Sequence, residues 1–271
     1  MRTENERQYL DLIWRVIEDG SIAGSRAGET ISLPGQQITV DLRHGFPLLT
    51  TRKMFTAGIF GELAAFVRGA EDLATFEKFG CNYWLENARN WWPNHDKPQA
   101  QWMIGKSYGS LWRDFGGVDQ LSEVIFELKH NPLSRRHVVS AWHPAAEACL
   151  PSCHIMFQFY VRDDYLHCHV YMRSVDLCVG LPSDMVLYAL LMSLVAKDVG
   201  LTPATLTFSF GDCHVYTNHV ETFVNEQAPR LISKAPSLQL LEQATTLTFT
   251  PEQAVILDYS HAPAIKYTFN S

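Results

Sequence analysis

The stretch Leu150-Pro-Ser-Cys-His-Ile-Met-Phe-Gln-Phe159 sets a thiol, Cys153, and an imidazole, His154, between a turn and an alternating, half-buried strand. A cysteine is a strong nucleophile only where its thiolate is favoured by a lowered pKa or a nearby cation. Arg135, Arg136 and Arg173 flank the segment in sequence and offer that field. The same pattern also describes a small core cysteine ahead of an apolar strand. The stretch by itself leaves both readings open.

Other candidate groups lie on elements that must bring them to this thiol. Residues 5 to 18 place Tyr9, Leu10, Ile13, Val16 and Ile17 at helical spacing, which predicts an amphipathic helix ending near Gly20. Gly24-Ser-Arg-Ala-Gly-Glu-Thr reads as a mobile turn that carries Arg26, either solvated or bound to an anion. Ile31 to Leu42 reads as a hairpin turning at Pro34-Gly35. A helix from about Thr56 to Arg68 puts Glu62 inside its apolar face, as a structural pair or as a functional carboxylate raised by burial. Residues 81 to 115 hold Tyr83, Trp84, Trp91, Trp92, Trp102, Tyr108 and Trp112, a density that fits core, interface or ligand platform.

A helix is expected from Asp119 to His130, and strands over Val138–Trp142, Ile155–Val161 and Leu166–Met172, with Asp163-Asp164 turning between the last two. Gly180-Leu-Pro-Ser-Asp opens the most apolar helix, about Met185 to Val199, and Leu206–Phe210 and Leu247–Phe249 read as further strands. Helices and strands alternate without a regular βαβ period, so the fold class is α+β.

With 271 residues and 46% hydrophobic content the chain can bury a large core, and no linker composition divides it, so residues 1–271 read as a single domain. A net charge of −7 disfavours a nucleic-acid or membrane-surface binder, so anionic ligands must be met by local arginines. The start lacks an apolar leader pattern and no run reads as long enough to cross a bilayer, which leads to a cytosolic protein. The six cysteines lack CxxC spacing, so they read as reduced, with at most one reactive and no metal site.

Taken together, Phe46-Pro-Leu-Leu-Thr-Thr, Ser134-Arg-Arg, Ser140-Ala-Trp, Leu150-Pro-Ser-Cys-His, Arg173-Ser-Val-Asp, Gly180-Leu-Pro and Gly211-Asp-Cys-His-Val-Tyr-Thr-Asn-His make the chain resemble thymidylate synthases and their phage relatives, the deoxycytidylate hydroxymethylases. The resemblance covers nearly the whole chain. It implies a twisted mixed sheet covered by helices, and a homodimer packed sheet against sheet. It also implies a thiolate, here Cys153, that adds to pyrimidine C6 so that C5 can attack the one-carbon unit of 5,10-methylenetetrahydrofolate. Glu62, Tyr108, His154 and Asp184 match the other catalytic positions. Arg26, Arg173 and Ser174 match the phosphate site, and Arg135 and Arg136 the pair donated by the partner subunit. His214 and Tyr216 match the groups on the sugar hydroxyl, and Gln158 falls among the substrate-binding positions. Trp84, Asp176, Arg52 and Gly180 match the folate side.

One departure bears on the substrate. Thymidylate synthases carry asparagine where this chain has Asp184. Uracil offers an acceptor at O4 and a donor at N3, and cytosine the reverse. A carboxyl holding its proton donates to cytosine N3 and accepts from its 4-amino group, and an ionised one suits a base protonated at N3; either way Asp184 points to dCMP, as in the hydroxymethylases. The competing reading is an aspartate that only complements the positive end of the helix beginning at Met185, worth about 0.3–1 kcal/mol.

His143, Met172, Leu85, Asn87 and the tail Ile265-Lys-Tyr-Thr-Phe-Asn-Ser also depart from the family and point to altered water and folate contacts. They favour capture of water over hydride, hence dCMP hydroxymethylation. Trp84 favours the alternative, dCMP methylation. A thymidylate synthase acting on dUMP and a catalytically idle nucleotide- or RNA-binding homologue complete the set.

Overall fold

The computed structural model describes residues 4–268; Met1–Thr3 at the start and Phe269–Ser271 of the divergent tail lie outside the described residues. The helices are α1 (Glu4–Asp19), α2 (Thr56–Phe66), α3 (Leu73–Lys78), α4 (Leu85–Asn90), α5 (Gly109–Arg113), α6 (Gln120–His130), α7 (Gly180–Val199) and α8 (Thr217–Thr222). The strands are β1 (Ser21–Ser25), β2 (Gly28–Ser32), β3 (Gln37–Asp41), β4 (Val138–Ser140), β5 (His154–Arg162), β6 (Tyr165–Asp176), β7 (Thr202–Tyr216), β8 (Ser237–Leu240) and β9 (Ala254–Leu257).

The fold is α+β. Seven strands form one mixed sheet in the order β1-β2-β7-β6-β5-β4, with β3 also paired to β7; β8 and β9 form a separate ribbon. β5 and β6 make a hairpin through Asp163 and Asp164, both at positive φ (48° and 63°), the tight turn whose twist matches the strands it joins. β6 and β7 run parallel, joined by the crossover helix α7. α7 ends at Gly200 in the left-handed conformation, where glycine carries no steric penalty.

Alternation in the long strands turns Phe157, Phe159, Leu166, Cys168, Val170, Leu206, Phe208 and Phe210 into the core against α7. By length and composition α7 could cross a membrane, contrary to the sequence expectation, but most of it is buried inside the protein. It is the spine of the core: Leu187, Ala189, Leu190, Leu191, Leu194 and Val195 have no exposed surface.

Several sequence expectations are corrected. The Ile31–Leu42 segment is not a hairpin: β2 and β3 both lie antiparallel along β7, against residues 214–216 and 205–209. Pro34-Gly35 bends this line without reversing it, since Leu33 and Gly35 donate to the Cys213 and Gly211 carbonyls at 2.9 and 3.0 Å. The hairpin is instead β1–β2, with Arg26 in its turn, where the sequence places a turn. Leu247–Phe249 is a turn, because Phe249 and Thr246 bury in the core while flanking polar groups bond locally. β4 stops at Ser140, α7 begins five residues before Met185, and β7 runs six residues past Phe210.

α1 anchors a loop that leads to the cavity. Buried Glu6 accepts the backbone N–H and the hydroxyl of both Thr50 and Thr51 at 2.6–2.9 Å. Gln227 and Arg230 hold Thr51 from the other side at 3.1 and 2.9 Å. Glu6→Ala strands these donors in a site closed to water. Urea unfolding is expected to show a loss on the order of 3 kcal/mol or more; a change within about 0.5 kcal/mol, the range of an ordinary surface substitution, would show that the cluster is not an anchor.

Candidate active site

A cavity of about 880 Å³ opens where the β1–β2 turn, α2, the ends of β6 and β7 and the start of α7 meet. Its walls include Arg26, Arg52, Glu62, Trp84, Tyr108, Cys153, His154, Arg173, Ser174, Asp176, Gly180, Asp184, His214 and Tyr216. Residues far apart in sequence, each singled out for its chemistry, therefore face one volume. That volume is at the upper end for a small-molecule site and has room for two ligands side by side.

Cys153 sits at the entry to β5. Its backbone N–H donates to the Tyr108 hydroxyl at 2.9 Å, and Arg173 Nη2 lies 3.7 Å from its sulfur. The guanidinium is aimed by two carbonyls, Nε to Ser152 O at 2.8 Å and Nη2 to Pro151 O at 2.9 Å. Burial nevertheless pushes the Cys153 thiol above its ordinary value; Arg173, and more weakly Arg26, pull the other way. The expected field of three arginines is thus corrected to one close cation, outweighed by desolvation.

Tyr108 has φ 47° and ψ −112°, an unfavourable backbone for a bulky residue. The strain is supported by packing: its ring stacks on Phe66 at 5.2 Å and lies 4.1 Å from the His154 ring. Its N–H also donates to Ser152 Oγ at 3.2 Å. This conformation delivers the phenol to the backbone of Cys153.

Glu62 accepts from Trp84 Nε1 at 2.9 Å. Desolvation raises its pKa to about 7, against the lowering effect of that hydrogen bond. At neutral pH it can therefore take or give a proton. Asp184 lies inside α7, which begins four residues earlier, so the reading of it as a charge at the helix start does not hold. Burial, with a further push from Glu62, holds its carboxyl well above the usual carboxylate range.

His154 Nε2 faces Asp184 Oδ1 at 3.6 Å, but burial lowers the imidazole to about 3, so two neutral groups meet there and no ion pair forms. The buried Tyr188 hydroxyl reaches His154 Nδ1 at 2.7 Å. With the hydroxyl as donor, the ring hydrogen is assigned to Nε2, toward Asp184.

The opposite wall is polar. Parallel pairing sets Ser174 beside Asp212 and Asp176 beside His214. Asp212 accepts from Ser32 and, at 3.2 Å, from Ser174, and meets His214 Nδ1 at 2.8 Å. The His214 hydrogen bond is the largest cause of the fall of the Asp212 carboxyl to about 2. An Asp212 that accepts from Nδ1–H leaves His214 Nε2 as an acceptor, suited to a sugar hydroxyl. Asp212 was missed as a site residue because the strand reading stopped at Phe210. Continued alternation would have placed 212, 214 and 216 on one face.

Asp176, Arg52, Gly180, Trp84 and Asn87 also line the cavity. Arg52 is buried, bonds the Cys178 carbonyl and lies 5.0 Å from the Tyr267 ring of the tail. A carboxyl, a guanidinium and a flat indole suit a planar heterocycle with amide and amine edges, so the donor set fits a folate. Arg135, Arg136 and Gln158 do not line this chain's cavity: both arginines are exposed, and Gln158 Nε2 donates to the Arg135 carbonyl at 2.9 Å. Leu85 packs on the core, and His143 is exposed beside Phe115, so neither faces the cavity.

The family model described as Thymidylate synthase matches residues 7–270. The chain belongs to the thymidylate synthase family. Members carry out folate-dependent one-carbon transfer to a pyrimidine, bind nucleotide and folate, and act as dimers.

In this thymidylate synthase family chain burial of the free thiol disfavours a preformed thiolate. Because burial outweighs Arg173, alkylation at Cys153 by iodoacetamide, followed by peptide mass spectrometry, is expected to accelerate with pH up to and beyond the ordinary thiol value of 9.0. Arg173→Met is expected to move the profile further upward. A rate plateau at or below about pH 7, the behaviour of cation-paired thiolates, would contradict this assignment.

Proposed function

We propose that this protein is a deoxycytidylate hydroxymethylase: dCMP, 5,10-methylenetetrahydrofolate and water give 5-hydroxymethyl-dCMP and tetrahydrofolate. The observation that carries the choice of base is the buried carboxyl of Asp184 in the cavity wall beside His154 and near Cys153, whose desolvation favours the protonated form. A protonated carboxyl donates to cytosine N3 through its O–H and accepts from the 4-amino group through its carbonyl oxygen. Uracil presents a donor and an acceptor at those places, which leaves buried groups mismatched.

The Cys153 thiolate forms the bond to C6, and the displaced electron pair moves to C5, which takes the one-carbon unit. The thiol proton passes to water as the substrate binds, with Arg173 the nearest cation to the developing sulfur charge. Glu62, poised near neutrality, and Tyr108 manage the loss of the C5 proton through ordered water. After tetrahydrofolate departs, water bonds to the exocyclic methylene carbon, the C5–C6 double bond re-forms, and the C6–sulfur bond breaks. Arg26, Arg173 and Ser174 take the phosphate, and His214 and Tyr216 the 3′-hydroxyl. Trp84, Asp176, Arg52 and Gly180 hold the folate.

The exposed Arg135 and Arg136 suit donation to a partner's phosphate site, in a homodimer formed by the open sheet face. That face shows Val138, Met156 and Tyr171, three large apolar or aromatic side chains with 36–39% exposure. Six unpaired cysteines favour a reducing, cytoplasmic setting, the host's if the gene is a phage's. Trp84, on the cavity wall, favours the second reading, dCMP methylation with hydride from the folate. An idle binding homologue fits poorly with Cys153, Glu62, Tyr108 and Arg173 converging on one cavity.

Mass spectrometry of products from dCMP and, separately, dUMP with methylenetetrahydrofolate is the test. A hydroxymethyl product from dCMP is expected. A methyl product would keep the base assignment and replace water by hydride, while product from dUMP alone would reject the Asp184 argument. Cys153→Ser is expected to abolish turnover while the protein remains folded by circular dichroism; wild-type rates would end the covalent mechanism. Asp184→Asn is expected to shift the dCMP/dUMP ratio of kcat/KM toward dUMP by roughly 100-fold or more, and an unchanged ratio would remove Asp184 from base choice.

A further inference from the structure

Where β6 ends, three donors converge that no stretch of sequence brings together. Asp176, Cys178 and His219 place a carboxylate oxygen, a thiol sulfur and an imidazole nitrogen within 4.8 Å of one another. Cys178 and His219 are buried, at 0% and 1% exposure, while Asp176 borders the cavity.

Two of the three are already oriented by backbone. The Cys178 N–H donates to Asp176 Oδ1 at 2.8 Å. His219 Nε2 meets the Thr268 carbonyl at 2.7 Å. A carbonyl oxygen can only accept, so this imidazole carries a hydrogen on Nε2, and its other nitrogen, Nδ1, lies 3.9 Å from Asp176 Oδ1, where the neutral ring presents a lone pair. An imidazole whose second nitrogen donates to a carbonyl is in the form that binds metals, with ring orientation and tautomer set in advance.

We propose that Asp176, Cys178 and His219 form a binding site for zinc or a similar thiophilic divalent cation, with the fourth position open to the cavity. The oxygen, sulfur and nitrogen set is one that zinc accepts in tetrahedral geometry. Ligand bonds of about 2.0–2.3 Å place tetrahedral donors about 3.3–3.8 Å apart. The 4.8 Å limit must therefore close by about an ångström, within the reach of side-chain rotation. Binding forms a metal–sulfur bond and releases the Cys178 thiol proton to water, so a carboxylate and a thiolate together neutralise the cation.

The ligands come from the end of β6 and from α8, which is why cysteine spacing along the chain does not reveal the site. A metal there occupies Asp176 and competes with folate; that consequence rests on the proposed function, whereas the site itself does not.

Cobalt(II) titrated into the full-length reduced protein is expected to give a thiolate-to-cobalt charge-transfer band in the near ultraviolet, saturating at one equivalent. The band is expected to persist in Cys153→Ser and to vanish in Cys178→Ser, and His219→Gln is expected to weaken binding about tenfold or more. X-ray absorption of the zinc-loaded wild type needs no variant: one sulfur near about 2.3 Å and nitrogen or oxygen near about 2.0–2.1 Å are expected. Absence of the band in the wild type, its persistence in Cys178→Ser, or a zinc shell without sulfur would overturn the proposal. Folate-competitive zinc inhibition is read separately, so a failure of the folate assignment leaves the spectroscopic result standing.

Discussion

Removing charge from water is the constraint on which this site depends. Glu62, Asp184, His154 and Cys153 each shift toward the neutral form, and in every case desolvation is the leading cause. Arg173 stands close to the sulfur without overcoming that cost. Around Cys153 the free cavity is thus lined by groups whose burial favours their neutral forms. Such a surface reads hydrogen-bond polarity more than charge, which a pyrimidine ring requires. Charge is concentrated at the other wall, where Asp212 stays ionised because His214, Ser32 and Ser174 bond to it.

The architecture that permits this is the β6–α7–β7 crossover. Parallel pairing of β6 with β7 puts Ser174, Asp176, Asp212 and His214 on adjacent strand ends. α7, whose buried residues form the centre of the core, carries Asp184 in its opening turns to the same place. The strained Tyr108 and the Glu6 anchor then bring the aromatic segment and the Thr50–Arg52 loop to the cavity from outside the sheet. Backbone strain at Tyr108 is offset by its stack on Phe66 and its bonds to the Ser152–Cys153 turn.

Much of the fold was legible where periodicity was strong. α1, α2 and α6 lie where helical spacing puts them, and the turn at Asp163-Asp164 carries the positive φ values its residues tolerate. The errors have a common cause. Pro34-Gly35 was read as a reversal and Phe210 as a strand end, because in both places the deciding partner is remote: β7 accepts from Leu33 and Gly35 on either side of the bend, and β6 and β2 pair with β7 beyond Phe210. Leu247–Phe249 failed in the opposite sense, since alternating apolar residues can pack on the core, here with Phe249 buried and Leu247 half-buried, without joining a sheet.

The order of motifs along the chain was enough to determine the thymidylate synthase family and to single out Cys153 as the nucleophile candidate and Asp184 as a departure from the family pattern, since those depend on residue type and spacing. Tertiary structure alone decided the upward shift of the Asp184 and Glu62 carboxyls, the dominance of burial over arginine at Cys153, the place of Asp212, and the approach of His219 to Cys178. The physical reason is that a pKa and a coordination geometry depend on which atoms exclude water and which donors face one another in space. Neither is a property of chain neighbours.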